Sequence, residues 1–426
     1  MKITFINQFY PPDLSPTAKL TASLAQHRAL LGDHVTVIGG QGYLDSDQLS
    51  GAADHENDFQ TIEAAKYTHA NLNVNRLWTP KFGRQTVVHR CLDYLIFYLL
   101  AALTISRLPK QDVVVCLTTP PMIASVGVLH KLIHRSTRVI LWNMDCYPEV
   151  IVRSDMIREN GLIDRLCKWV NRLIGSQLSH VVCLDDAMQK LVKSRPNTRE
   201  IPASIIPNWE SLAEFPSAHG DGIETTSLQP FRLLYSGNMG HGHNFQSLLS
   251  AAKRLLDKGS PIEIVMTGGG VQSFDIQQRI NEERLTNINF KGYVTVRELR
   301  EIQSHAHCAF ISLKDNMLGC MSPSKLHANL AMGLPVVYLG PPGSSVDIAI
   351  TKFHCGESLR SGDVDQLINR LEILSKSPDL MKQYSRNARN AFEKSYCDQS
   401  NLSLFDGVLD DNCGQTCDRT AHNRAA

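Results

Sequence analysis

The 426-residue chain has no dominant charge: 43 Lys and Arg residues face 42 Asp and Glu, for a formal net charge of +1. Bulk attraction to nucleic acid is therefore not a property of the whole chain, and no nucleic-acid partner is expected. A run of 18 apolar residues is also missing, so no membrane-spanning helix is expected. The nearest is residues 92–105, LDYLIFYLLAALTI, flanked by Arg84, His89, Arg90 and Arg107. It reads either as a buried helix or as one docked on a membrane surface, a peripheral contact. The apolar start, MKITFI, is too short for a signal sequence. Cysteines number eleven, an odd count, and most sit in apolar runs such as VVVC at 113–116. That pattern points to buried thiols in a reducing, cytoplasmic compartment rather than to a disulfide framework. With 43% hydrophobic and 20% charged residues, the composition also excludes a disordered or fibrous chain.

Several signatures of chemistry are missing as well. There is no GxGxxG followed about 20 residues later by an acid, which argues against a dinucleotide-dependent dehydrogenase. No Walker GxxxxGK[ST], HExxH or GxSxG segment occurs. Cys413, Cys417 and His422 share a polar tail without a second ligand pair, and Asp45-Ser46-Asp47 lies in a polar loop that reads as solvated. No metal or cofactor is expected.

What is present is a long alternation of strand and helix. Residues 3–6 and 35–38 are β-branched or apolar runs on either side of a helical pattern at 17–31, which makes a βαβ unit and implies a parallel sheet. Further strands are predicted at 112–117, 138–142, 181–184 and 205–206. A second series starts at 231–235 and continues through 262–266, 288–290, 308–312 and 336–339. The expected fold class is therefore α/β, with two doubly wound domains facing each other across a cleft. The expected division is residues 1–208, a linker at 209–229, a second domain at 230–385, a C-terminal helix at 386–406 packing back on the first domain, and a disordered tail at 407–426. Ligands of such sheets bind at the carboxyl ends of the strands, here in the cleft.

Three segments fall where that cleft should be. The first, Tyr235-Ser236-Gly237-Asn238-Met239-Gly240-His241-Gly242-His243, leaves a strand and enters a helix. Glycines there let backbone N–H groups approach a phosphate. The second is Ser322-Pro323-Ser324-Lys325, where a lysine opens a helix against its dipole, a conflict that a bound anion resolves. The third is Asn143-Met144-Asp145-Cys146-Tyr147-Pro148-Glu149, which puts two carboxylates at a cleft rim where they can bind hydroxyls or accept a proton. Each segment also has a plain alternative: a glycine turn, a solvated lysine, loop acids.

In the right order along residues 1 to about 400, these segments resemble glycosyltransferase family 4 of the GT-B fold, in its bacterial capsule, exopolysaccharide and O-antigen branch. INQFYPPD at 6–13, DCYPEV at 145–150, IPNW at 206–209, YSGNMGHGHNF at 235–245, GYVTVREL at 292–299 and SPSKLHANLAMGLPVV at 322–337 carry the resemblance. It implies a retaining transfer of a sugar from a nucleotide sugar, expected to be UDP-linked, to a lipid-linked or growing surface glycan. It places Gly237, Asn238 and His243 at the donor diphosphate and Tyr293 at the nucleobase. Ser322, Ser324 and Lys325 would neutralise the departing diphosphate, and Asp145, Glu149 and Asp13 would serve the acceptor side. The family pattern E-x7-E falls on Cys320 and Ala328, so the glutamate that holds the ribose hydroxyls is replaced. A nucleotide-sugar binder without turnover and a non-hydrolysing epimerase on the same fold are the alternatives.

Overall fold

The computed structural model of the chain describes residues 1–13, 15–41, 69–80, 87–215 and 230–410. Asp45-Ser46-Asp47, the tail with Cys413, Cys417 and His422, and residues 216–229 of the expected linker lie outside the described residues.

The first unit runs β1 (Lys2–Ile6), α1 (Pro16–Leu30), β2 (His34–Gly40), β3 (Leu72–Leu77), α2 (Val87–Arg107), β4 (Val113–Cys116), α3 (Ala124–Ile133), β5 (Arg138–Asn143), α4 (Glu149–Arg153), α5 (Leu162–Gly175), β6 (His180–Cys183), α6 (Asp186–Ser194) and β7 (Ala203–Ile205). Its seven strands lie in the order β3-β2-β1-β4-β5-β6-β7, all parallel. The apolar runs read from the sequence are the central strands: Val113 to Cys116 are all fully buried, as strands covered by helices on both faces must be.

The second unit runs β8 (Phe231–Ser236), α7 (Gln246–Asp257), β9 (Ile262–Thr267), α8 (Ser273–Glu282), β10 (Ile288–Gly292), α9 (Val296–Ser304), β11 (Cys308–Ser312), α10 (Lys325–Ala331), β12 (Val336–Leu339), α11 (Ser345–Phe353), β13 (Gly356–Leu359), α12 (Val364–Ser375), α13 (Pro378–Ala391) and α14 (Asp398–Asp410). Its order, β10-β9-β8-β11-β12-β13, has the same doubly wound connectivity. In each sheet the connection reverses between two adjacent strands, β1 and β4 in one and β8 and β11 in the other, and loops at such a point splay apart into a crevice.

The last helix crosses back to the first unit and continues to Asp410, four residues beyond the expected tail boundary. Phe405 is fully buried and packs its ring 4.5 Å from Trp142, which stacks on Trp209 at 5.5 Å. Trp209 is thus part of the first unit's core although it opens the polar stretch read as linker. Arg28 of α1, 3% exposed, reaches Asp33 on its own unit and Asp406 and Asp410 on α14, at 2.6–2.9 Å. The units also touch at the cleft floor. The Cys146 N–H donates to the Cys320 carbonyl at 2.7 Å beside an antiparallel bridge between Asp145 and Met321. Arg153 donates to the carbonyls of Asn316 and Leu318.

The apolar segment expected at 92–105 belongs to a longer helix, α2, whose residues Val88–Arg107 have a mean hydropathy of 1.5 and are long enough to cross a membrane. Its inner side, Phe97, Ala101 and Ile105, is fully buried against the first sheet, so it is a helix of the domain. Among the described residues its outer side is uncovered.

Candidate active site

The loops after β8, β9 and β10 meet at one end of the second sheet. The Gly237 N–H donates to the Thr267 carbonyl at 3.0 Å, Gly268 N–H to Gly292 at 2.6 Å and Met239 N–H to Gly269 at 2.6 Å. This close stacking of backbone requires the glycine at 268: its φ is +107°, and a Cβ there would fall 2.2 Å from the Gly237 carbonyl oxygen. Gly237 shares the requirement, with a φ of +117°, and Cε of Lys325 lies 2.9 Å from where its Cβ would be.

Lys325 opens α10, and its side chain crosses to the β8 loop. Its ammonium donates to the Asn238 carbonyl at 3.3 Å and lies 3.0 Å from Nε2 of His243. His243 is buried, and its Nδ1 sits 2.6 Å from the carbonyl of Ser312, the last residue of β11. A carbonyl only accepts, so Nδ1 carries the proton and Nε2 presents a lone pair to the ammonium. Both groups resist protonation. Burial, then the Lys325 charge, pushes the His243 imidazole down to about 3, and burial pulls the Lys325 ammonium down to about 7. The aromatic face of Tyr235 completes the enclosure, 5.0 Å from Nζ, and its hydroxyl donates to the Asn238 carbonyl at 2.7 Å. His243 thus bridges the strand-order reversal between β8 and β11, and through Lys325 it ties α10 to the glycine loop. The result is a cation at the floor of a backbone-lined crevice, an arrangement that stabilises negative charge developing on a diphosphate.

The other expected residues stand around this centre. The Tyr293 ring lies over Gly269, where a side chain would strike it, and is 67% exposed on its outer side. Ser322 pairs its hydroxyl with Ser345 at 2.7 Å, and the Ser324 carbonyl accepts from His327 Nδ1 at 3.0 Å. Asp145 sits where the two units touch. Its N–H donates to the Thr118 hydroxyl at 3.2 Å, and burial raises its carboxyl to about 6. Glu149 is held differently: both of its oxygens accept from Arg195, at 2.9 and 2.6 Å. This two-pronged ion pair braces the cleft floor behind Cys146. Asp13 is buried in the turn after Tyr10. Cys320, at the first family glutamate position, is fully buried and spends its carbonyl on the contact between the units. Ala328 lies on α10.

Two residues carried no signal in the sequence. Glu210, within the stretch read as linker, is raised to about 7 by burial while the charges of Lys19 and Arg300, one from each unit, oppose the shift. Gln8 follows β1 at the first sheet's own reversal point, and both polar atoms of its buried side chain lack a partner among the described residues.

With this geometry in hand, comparison with known proteins finds a family match that spans the second unit. Residues 223–391 match the model of glycosyl transferases group 1. Those residues form a glycosyltransferase domain. WbjE of Pseudomonas aeruginosa, described as a probable glycosyltransferase, is 21% identical over 333 residues, 76% of this chain and 81% of that protein. In fold, the chain is similar to Anabaena HepE, solved in complex with UDP, at a TM-score of 0.66 and 11% identity over 96% of this chain and 100% of the other. It is also similar to WaaG, a glycosyltransferase involved in lipopolysaccharide biosynthesis, at 0.63 and 13% over 97% and 100%. Identities this low show the fold alone, and that fold is GT-B.

Proposed function

We propose that this glycosyltransferase moves a sugar from a UDP-linked donor to a lipid-linked or growing surface glycan at the cytoplasmic side of the cell envelope, with retention at the anomeric carbon and without a metal ion. The observation that carries the reading is the Lys325 ammonium, held by the Asn238 carbonyl and His243 Nε2 at the meeting point of three glycine-bearing loops. In this reading the β- and α-phosphates lie over the Gly237 and Gly268 backbone, and the exposed face of Tyr293 supports the base. Lys325 takes up the charge that appears as the sugar–phosphate bond breaks. Asp145 and Gln8 face the acceptor from the first unit. The UDP bound to HepE, and the description of WbjE as a probable glycosyltransferase, support a UDP-linked donor.

The test is a calorimetric panel of UDP, GDP, ADP and UDP-sugars, followed by transfer from the responding nucleotide sugar to a membrane extract. UDP binding and transfer are expected. A folded protein that binds no nucleoside diphosphate refutes the site. Donor binding with no transfer or hydrolysis favours a binder without turnover, for which the replacement of the family acids by Cys320 and Ala328 is the structural argument.

A further inference from the structure

Helices α2, α3 and α5 lie side by side on one face of the first sheet, with α3 packed between the other two. Their outer surfaces are apolar. Val88, Leu92, Leu95, Leu99 and Leu103 form a stripe on α2 at spacings of four, three, four and four residues. Leu162, Leu166, Trp169 and Leu173 repeat it on α5, at four, three and four, beside Ile163. Leu129, Leu132 and Ile133 on α3 join them. These are thirteen of the 23 exposed large apolar side chains among the described residues, and Leu162 is 85% exposed. Patches of this kind on a globular protein mark an interaction surface.

The charges on the same three helices are arranged by sign. Their only acids, Asp93 and Asp164, are both fully buried, and Asp164 pairs with Lys168 at 2.8 Å. Arg107, Arg165 and Arg172 are exposed. On α5, Arg165, Lys168 and Arg172 form a basic stripe directly beside the apolar one. Between α5 and α6, Lys168 and Arg172 line a cleft of about 210 Å³ together with the Arg195–Glu149 pair. An apolar stripe centred on a tryptophan and edged by cations is the pattern of a helix lying in a lipid headgroup layer.

We propose that this three-helix face docks on an anionic phospholipid bilayer, with the apolar stripes at the acyl boundary and the α5 cations on the headgroup phosphates. Charge selects this occupant over a second copy of the chain, since two such faces brought together would oppose arginine to arginine. The proposal stands on the exposed face and not on the reaction. It reaches past α2 to a surface that no single segment provides.

The experiment is flotation of the full-length chain with phosphatidylcholine vesicles, with and without 30% phosphatidylglycerol. Binding is expected only to the anionic vesicles and falls as salt rises to screen it. Arg165→Glu and Arg172→Glu together should weaken it roughly 25-fold, at about fivefold per lost cation near the surface, with Lys168 left in place because it pairs with the buried Asp164. Leu166→Ser with Trp169→Ser should also release the protein, and should abolish the vesicle-induced change in tryptophan emission. Both variants should keep wild-type circular dichroism and nucleotide affinity, which separates loss of docking from loss of the fold or of the donor site. Absence of binding to anionic vesicles overturns the proposal. So does binding that survives both variants, or a dimer in solution that the α5 substitutions dissociate.

Discussion

Lys325 provides the sharpest test of the donor site. Burial holds its ammonium near pH 7 in the free protein, with a neutral His243 as its nearest side-chain partner. A diphosphate that binds the protonated form must restore the proton and raise this value. Donor affinity is therefore full below pH 7 and falls above it. The dissociation constant should rise about tenfold between pH 6 and pH 8, equivalent to roughly 1.4 kcal/mol. Binding should also take up roughly half a proton at pH 7 and about nine-tenths at pH 8. A UDP-sugar is the proper ligand, because its diphosphate is a diester, whereas free UDP has a terminal phosphate that titrates near pH 6. Calorimetry in buffers of different ionisation heat measures the proton count directly. In Lys325→Arg the guanidinium stays charged throughout, so the profile should flatten and the uptake vanish, whatever the absolute affinity. Lys325→Ala should be flat and weak, and should lower turnover on the order of a hundredfold. A wild-type affinity that is level from pH 6 to 8, with no proton taken up, would show that Lys325 does not meet the donor phosphates.

Three further outcomes follow from the same geometry. If Asp145 accepts the acceptor proton, kcat/KM should climb with pH through about 6 and lose that limb in Asp145→Asn, while nucleotide affinity stays unchanged; a limb retained in the variant assigns it elsewhere. Gly268→Ala puts a Cβ against the Gly237 carbonyl at a positive φ, so it should raise the donor dissociation constant at least about tenfold with little change in circular dichroism. Wild-type affinity in this variant would mean the loop is not the phosphate cradle. Arg28→Ala leaves three carboxylates around an empty place and should cost on the order of 3 kcal/mol, seen as a lower melting temperature and faster proteolysis of α14; Arg28→Lys should recover part of it.

How much of this was legible in the sequence depends on the range of the physics involved. Strand and loop identities are local. VVVC reads as a buried strand because four apolar residues between turns have no other place in a parallel sheet, and the glycines at 237, 240 and 242 announce a close backbone approach. The connection of His243 to Lys325 is not local: it spans 82 positions, and it exists because the sheet reverses between β8 and β11. Glu149 looked like a free acid because its partner, Arg195, is 46 residues away. Trp209 looked like the start of a linker because nothing near it in sequence shows that Trp142 and Phe405 wait to cover it.

The clearest case is α5. The period of its sequence puts Leu162, Leu166, Val170 and Leu173 near one side of a helix, and the ordinary inference is that such a side is the buried one. In the fold, Leu162, Leu166 and Leu173 face outward, and the buried side is carried by Asp164, Ile174 and Gly175. Periodicity measures that a stripe exists; what covers it is decided by the rest of the molecule. Here the described residues leave it uncovered. The fold leaves leucines and a tryptophan in water, which costs free energy unless something outside the chain meets that face. An uncovered stripe with cations along its edge therefore argues for a lipid surface more strongly than the hydropathy of 92–105, because hydropathy alone is equally satisfied by a core helix.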